Sequence, residues 1–203
     1  AVYRIQQRMP DARVTVLEKE PRTGRHQSSH NSGVLHCGLY YKPGSQRARL
    51  AVRGIRQMVE FCREHRIAHD VCGKVVVATS VEEVPRLQAL FERGIQNGLK
   101  GLRLLNPEEL REIEPHAGGV QAMHVPQEGI VDYPAVGEKL ASLIRGRVLT
   151  GAKVHEIKRT GQNWVVETGI GAFESQYLIN CAGLQCDRIS QLAGVRPDLR
   201  IVP

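Results

Sequence analysis

The spacing of apolar residues changes once within the first seventeen positions. Ala1, Val2, Ile5 and Met9 share one face of a helix predicted over 1–9. Pro10 stops that helix and Asp11-Ala12 makes the turn. Val14, Val16 and Leu17 then read as a short strand, closed by Glu18 and Glu20. A helix that feeds a strand through a tight turn is half of a βαβ unit. A first strand and its glycine loop are therefore expected upstream of Ala1.

Further along, Ser45 is placed to cap a helix running to about His65, with Leu50, Ile55, Met58, Val59 and Cys62 as its apolar stripe. Residues 71–80, VCGKVVVATS, predict a strand. Ser80 and Glu83 have capping-box spacing for a helix ending near Asn97-Gly98. Asn106 and Pro107 open another helix. VQAMHVP predicts a strand and 134–145 a helix. Three or four short strands are expected from 147 onward, with Gly161-Gln162-Asn163 as the clearest hairpin turn. An apolar strand over 177–181 is expected to run into Ala182-Gly183 and then a final helix. The pattern is an α/β layer interrupted by mixed helices and strands over 68–133.

One stretch belongs to neither period. Gly24 to Ser45, GRHQSSHNSGVLHCGLYYKPGS, holds three histidines, four serines and four glycines. It is too polar to be core and too rich in hydrogen-bonding groups to be an ordinary loop, so it is the first place to look for chemistry.

Composition narrows the classes. The chain has 203 residues and 41% hydrophobic content, enough for a core, and no run near the ~18 apolar residues that cross a bilayer. No apolar signal-peptide core opens it. The net charge of +7 is spread along the chain without an arginine run or interleaved aromatics, which argues against nucleic acid and leaves peripheral membrane association open. Five cysteines, an odd number with no CxxC, suggest neither a disulfide framework nor zinc, fit a reducing compartment, and read mostly as small buried hydrophobes. His65, His69, His116, His124 and His155 form no pattern with acids or cysteines, so no metal site is expected.

Two junctions carry candidate chemistry. Glu18 ends the second strand of the apparent βαβ unit, where an ionised carboxylate accepts ribose hydroxyls in dinucleotide-binding folds; a surface glutamate at a strand end is the plain alternative. Ala182-Gly183 lies where small residues let a phosphate approach a helix start, as they do at many βα junctions.

Together with Gly24–Ser45, these segments resemble the flavoproteins of D-amino-acid-oxidase type. Within them, VLEKE, HQSSHNSGVLHCGLYYKPGS, CGKVVVAT, RLQALFERGIQNG, GIVDYPAV and CAGLQCDRIS are similar, in collinear order, to the L-2-hydroxyglutarate dehydrogenase (oxidase) family. Ser29 departs from the glycine expected in HQTGHNSG, which puts fine flavin geometry in question. The resemblance implies a Rossmann-like FAD-binding layer with an inserted, partial α+β substrate domain. Residues 1–67 and 134–203 would form the FAD-binding parts, and 68–133 the substrate segment. It also implies that the family continues beyond Pro203.

The implied activity is oxidation of L-2-hydroxyglutarate to 2-oxoglutarate by hydride transfer to flavin, with electrons passing to a quinone or oxygen. An amino-acid oxidase, a glycerol-3-phosphate dehydrogenase type, or a non-catalytic fragment unable to hold FAD are the alternatives. The implied location is cytoplasmic or inner-membrane-associated in a bacterium and mitochondrial in a eukaryote. The FAD-binding residues implied are Glu18, Lys19, Gln27, Ser28, His30, Asn31, Ser32, Gly33, Val154, Cys181, Ala182 and Gly183, and Gly129 to Asp132 mark re-entry from the substrate domain. His36 and His30 are the candidate bases, because an imidazole titrates near neutral pH. Tyr40, Tyr41 and Lys42 are the candidate substrate contacts.

Overall fold

The computed structural model describes residues 1–198, 200 and 201. In chain order the elements are α1 (Val2–Arg8), β1 (Val14–Leu17), β2 (Val34–Leu35), α2 (Gln46–His65), β3 (His69–Asp70) and β4 (Lys74–Ala78). There follow α3 (Val84–Gln96), β5 (Arg103–Leu105), α4 (Pro107–Ile113), β6 (Gln121–Val125), β7 (Gly129–Val131) and α5 (Tyr133–Ser142). The rest is β8 (Gly146–Leu149), β9 (Val154–Thr160), β10 (Asn163–Thr168), β11 (Gly171–Ser175) and α6 (Cys186–Leu192). These pack as two compact units, Ala1–His30 with Gly137–Pro203, and Asn31–Val136. No helix among the described residues is long and apolar enough to cross a membrane.

In the first unit β1 pairs in parallel with β8, from Val14 opposite Gly146 to Leu17 opposite Leu149. Parallel partners far apart in sequence need a crossover between them, which is the α/β pattern read from the sequence. The strands β9, β10 and β11 form an antiparallel meander turned at Gly161, as the hairpin signal predicted. α1 buries a polar residue rather than an apolar stripe. Gln6 is 3% exposed, while Met9 is 60% exposed. The Gln6 amide donates to the Arg145 carbonyl and its Oε1 accepts the Arg145 N–H. A backbone pair just before β8 needs partners once buried, and Gln6 supplies both.

The segment 177–181 is not a strand. It makes no ladder with any described residue, and Tyr177 and Ile179 are exposed. Apolar composition cannot hold a strand whose N–H and C=O groups lack a partner strand. Asn180 instead ties the segment to α6, donating to the Cys186 carbonyl (2.7 Å) and the Ser190 hydroxyl (3.0 Å).

The second unit holds two three-stranded antiparallel sheets, ordered β2-β7-β3 and β4-β6-β5. Leu105, Leu110 and Ala122 centre one core cluster, packed by Val75, Val77 and Ala117. Ser45 caps α2 by accepting the Ala48 N–H (3.2 Å). The buried face of α2 is Ala48, Ile55, Phe61 and Cys62; Leu50, expected in the stripe, is 64% exposed. Asn106 and Glu109 form a complete capping box on α4. The capping box expected at Ser80 does not form. The Glu83 carboxylate accepts from Thr79 N and Oγ1 instead (2.8 and 2.9 Å), a 3-10 turn intervenes, and α3 starts at Val84 with Pro85 in its first turn. Of the cysteines, Cys37 and Cys62 are buried, Cys186 is half-buried, and Cys72 and Cys181 are exposed, so the reading of most as buried hydrophobes fails.

Candidate active site

In the first unit, the parallel ladder continues past β1 into the turn that carries Glu18. Glu18 N–H donates to the Leu149 carbonyl and its carbonyl accepts the Ala152 N–H, both at 2.8 Å. Val154, another of the expected FAD-binding residues, follows two residues later and opens β9. The backbone thus brings these two FAD-binding candidates, Glu18 and Val154, together. One Glu18 carboxylate oxygen accepts the Glu20 N–H (2.9 Å); the other has no hydrogen-bond partner among the described residues. Lys19 and His26 both pair with Glu20, at 3.4 and 3.0 Å, so Lys19 faces a neighbouring carboxylate. His26 and Lys19 together hold the Glu20 carboxyl below its usual range.

Gln27 and Ser28 are exposed on the turn that follows. There His30 Nδ1 contacts the His26 carbonyl (3.0 Å) and Ser29 N–H donates to the same carbonyl (3.0 Å). Ser29 also donates its hydroxyl to the Gly24 carbonyl and does not adopt positive φ, so serine at this position introduces no backbone strain. Cys181, Ala182 and Gly183 are exposed just before α6, outside any strand.

In the second unit, Asn31 and Ser32 are exposed and lead into Gly33, which adopts φ +71°. Gly33 N–H donates to Asn31 Oδ1 (2.9 Å) and its carbonyl accepts the Val131 N–H (2.8 Å). The turn needs a left-handed residue there, which glycine supplies without a Cβ penalty. These residues suit FAD: a strand-end carboxylate with a free oxygen in one unit, and glycine turns carrying exposed hydrogen-bonding groups in each.

The register of β2 on β7 places a residue the sequence did not single out. Val34 lies opposite Ile130 and Leu35 opposite Gly129, so the next pair sets His36 beside Glu128. The ladder of β4 on β6 pairs Lys74 with Val125, and Gly73 N–H donates to the Glu128 carbonyl (2.9 Å). Glu128 is 1% exposed. Its Oε1 accepts the Cys37 N–H (3.0 Å) and the Cys37 thiol (3.1 Å). Its Oε2 forms an ion pair with Lys74 and lies 3.6 Å from His36 Nδ1. Lys74 Nζ also sits 4.7 Å from the centre of the Tyr40 ring, in cation–π range.

The charges decide one another's state. Burial alone pushes the Glu128 carboxyl up, but the Lys74 ammonium and the Cys37 N–H and thiol outweigh it and hold the group below the usual carboxylate range. Burial opposes the Lys74 charge as well, and Glu128 with Tyr40 outweighs it, so Lys74 stays cationic to higher pH. Burial and then the facing carboxylate push the Cys37 thiol up to about 12. Glu128 is thus a buried anion at neutral pH, with a neutral thiol and a cation beside it.

Around this anion His36 is 54% exposed, and Tyr40 is 49% exposed. The backbone of 38–41 is held by α3 and its C-cap: Asn97 Nδ2 donates to the Gly38 and Tyr41 carbonyls (3.0 and 2.9 Å), and Arg93 to that of Tyr40 (3.3 Å). Tyr41 and Lys42 are exposed, and the Lys42 ammonium has no partner among the described residues. The structure therefore gathers His36 and Tyr40 around Glu128 and Lys74. Sequence reading missed Glu128 and Lys74; the available signal was a charge abutting each of two apolar runs, Lys74 before VVVA and Glu128 before Gly129-Ile130-Val131.

The model of the DAO family, described as FAD dependent oxidoreductase, matches residues 1–203. The chain belongs to this family. FAD is the cofactor of the family, and the α/β fold expected from the sequence is the one its structures share. The chain is 46% identical, over 98% of its length, to an L-2-hydroxyglutarate dehydrogenase of Indibacter alkaliphilus, of which it covers 51%. It is 42% identical over 97% to the mitochondrial L-2-hydroxyglutarate dehydrogenase of Homo sapiens, covering 46% of it. It is 40% identical over 96% to the L-2-hydroxyglutarate dehydrogenase of Escherichia coli K12, covering 47%. The chain spans about half the length of these curated relatives. Among solved structures, glycine oxidase of Geobacillus kaustophilus superposes with a TM-score of 0.85 at 23% identity, over 95% of this chain and 54% of that one. An FAD-bound L-alpha-glycerophosphate oxidase of Mycoplasma pneumoniae superposes at 0.80 and 23% identity, over 88% and 50%.

Proposed function

We propose that the chain is part of an FAD-dependent dehydrogenase that oxidises L-2-hydroxyglutarate to 2-oxoglutarate. The likeness to L-2-hydroxyglutarate dehydrogenases over 96–98% of the chain carries this reading. The likeness to glycine oxidase is one of fold, so it does not favour the amino-acid alternative. FAD, when bound, supplies the acceptor for the hydride that leaves C2 of the substrate.

The chain's own residues do the rest. Glu18 receives the adenosine ribose hydroxyls on its free oxygen, with Lys19 beside it, and Val154 offers its backbone to adenine. Gln27, Ser28, His30, Asn31, Ser32 and Gly33 line the pyrophosphate and flavin, and Cys181, Ala182 and Gly183 border the pyrophosphate. His36 takes the hydroxyl proton on a ring nitrogen. It is preferred to His30 because it faces a buried carboxylate, which stabilises the imidazolium formed on taking the proton, whereas His30 Nδ1 faces a neutral carbonyl, that of His26. Tyr40 and Tyr41 contact the substrate, and the unpaired Lys42 ammonium meets a carboxylate. Residues 1–67 and 134–203 form the FAD-binding parts, with His36 and Tyr40 to Lys42 turned to the substrate, and 68–133 forms the substrate segment. A quinone or oxygen takes up the electrons.

The test is anaerobic mixing of the FAD-loaded protein with candidate substrates while the visible flavin absorbance is followed. Bleaching by L-2-hydroxyglutarate, with none by the D-isomer, amino acids or glycerol 3-phosphate, is the expected result. Bleaching by one of the others instead would move the protein to a neighbouring activity. A protein that takes up no FAD would leave the non-catalytic reading.

A further inference from the structure

Glu128 needs an explanation that stability does not supply. A buried ion pair rarely outperforms apolar residues of the same volume, because desolvation of both charges offsets their attraction. Yet Glu128 is 1% exposed and collects groups from three places: Cys37 and His36 after β2, Lys74 at the start of β4, and Gly73 through its own carbonyl. Cys37 takes Oε1 with two donors. Oε2 is buried, carries the Lys74 ion pair, and makes no hydrogen bond of regular geometry among the described residues. The ring nitrogen facing that oxygen is His36 Nδ1, at 3.6 Å, a few tenths of an ångström beyond hydrogen-bond range. Catalytic hydrogen bonds in unliganded proteins are often long and close on substrate binding.

We propose that Glu128 is a positioning residue that sets the tautomer of His36, accepting Nδ1–H on Oε2 and leaving Nε2 bare to take the substrate hydroxyl proton. This rests on the reading of His36 as the base. A neutral imidazole carries one proton; whichever nitrogen holds it donates, and only the other accepts. An ionised acceptor fixed beside Nδ1 selects the Nδ1–H form. Cys37 keeps Glu128 from rotating, because its N–H and thiol both anchor Oε1. Lys74 keeps Glu128 ionised, and its place over the Tyr40 ring ties that side chain to the same frame. When Nε2 takes the proton the ring becomes an imidazolium beside an anion, and Glu128 stays ionised throughout.

The experiment uses the FAD-loaded protein and two variants, E128Q and the double variant E128M/K74M. The double variant removes both charges at once and is expected to keep the fold, since apolar replacement of a whole buried pair is tolerated. Nitrogen-15 NMR of the neutral histidine ring reads the tautomer whether or not the protein turns over. The expected result is a proton on His36 Nδ1 in the unmodified protein and on Nε2 in E128M/K74M. The double variant still leaves the Cys37 N–H without its acceptor, so it should lower the thermal midpoint, but by less than removing Glu128 alone, and it should lose kcat by about a hundredfold, with KM changed far less. E128Q, whose amide oxygen still accepts, should fall between the two. A proton on Nε2 in the unmodified protein overturns the proposal, and so does a double variant that keeps the Nδ1–H form. Tautomer reversal with unchanged kcat upholds the hold of Glu128 on the ring and instead removes His36 from proton transfer.

Discussion

The turn of residues 24–33 and the surroundings of Glu128 are both polar, but they are built in opposite ways. The turn is held mainly by near neighbours: Ser29, His30 and Gly33 bond to residues two to five positions away, the Gly33 carbonyl reaches Val131 on β7, and most of its side chains are exposed. Glu128 is satisfied at long range. Cys37 lies 91 positions away, and Lys74 comes from a different strand of the fold. An exposed turn held mostly by near neighbours loses little stability when altered, and its side chains lie at the surface. A buried carboxylate held from three directions makes its neighbours depend on it. The difference separates residues whose substitution should show in binding from those whose substitution should show in folding.

The sharpest way to break that contrast is E128A. It leaves Lys74 without its counter-charge and Cys37 without its acceptor, and should cost about 3 kcal/mol, or roughly 6–12 °C in thermal midpoint near neutral pH. Because Glu128 titrates below its usual range in the folded protein, its contribution is complete above the unfolded carboxyl value of about 4.3 and is lost as pH falls through the folded value. The gap between E128A and the unmodified protein should therefore close in acid. A gap that persists undiminished there would show that packing, not charge, made the difference.

Alkaline unfolding tests the same site from the thiol side. The Cys37 thiol is raised to about 12, so above about 8.5 the unfolded chain loses a proton that the folded one keeps. Stability should fall by about 2 kcal/mol between pH 8.5 and 10 from this group, with Cys62, also raised by burial, adding to the slope. Chemical denaturation across that range should be shallower in C37A; equal slopes would remove Cys37 from the cluster.

In the exposed region the expected effects move from stability to ligand. E18A should weaken FAD binding by about tenfold, read by flavin fluorescence on titration, with the melting of the FAD-free protein unchanged. The smallest effect belongs to S29G. It deletes the hydroxyl bond to Gly24 and loosens the turn, for under about 1 kcal/mol, and leaves FAD affinity within about twofold. A large loss of FAD affinity in S29G would mean that the serine itself is a ligand.

Local signals were legible without the fold. The Ser45 and Asn106 caps, the Gly161 hairpin and the period change at Val14 each depend on residues a few positions apart, and each stands in the structure. Leu50 and 177–181 misled because apolar character states a tendency to be covered, not the presence of a covering partner. The polar stretch around His30 and His36 was visible for the same reason the caps were: its unusual residues are consecutive. Its sequence could not rank the two histidines.

That ranking came from pairing. Strand register is set by which face of each sheet is buried, and one step of slip would turn His36 away from Glu128. The carboxylate owes its charge to Lys74 and its orientation to Cys37, neighbours that only the two ladders bring close. The sequence by itself determined the Ser45 and Asn106 caps, the Gly161 hairpin, the family and the polar segment, because those follow from short-range spacing and residue type. Tertiary structure alone decided where a buried anion lies and which histidine faces it, because Coulomb energy and desolvation depend on distances in space rather than along the chain.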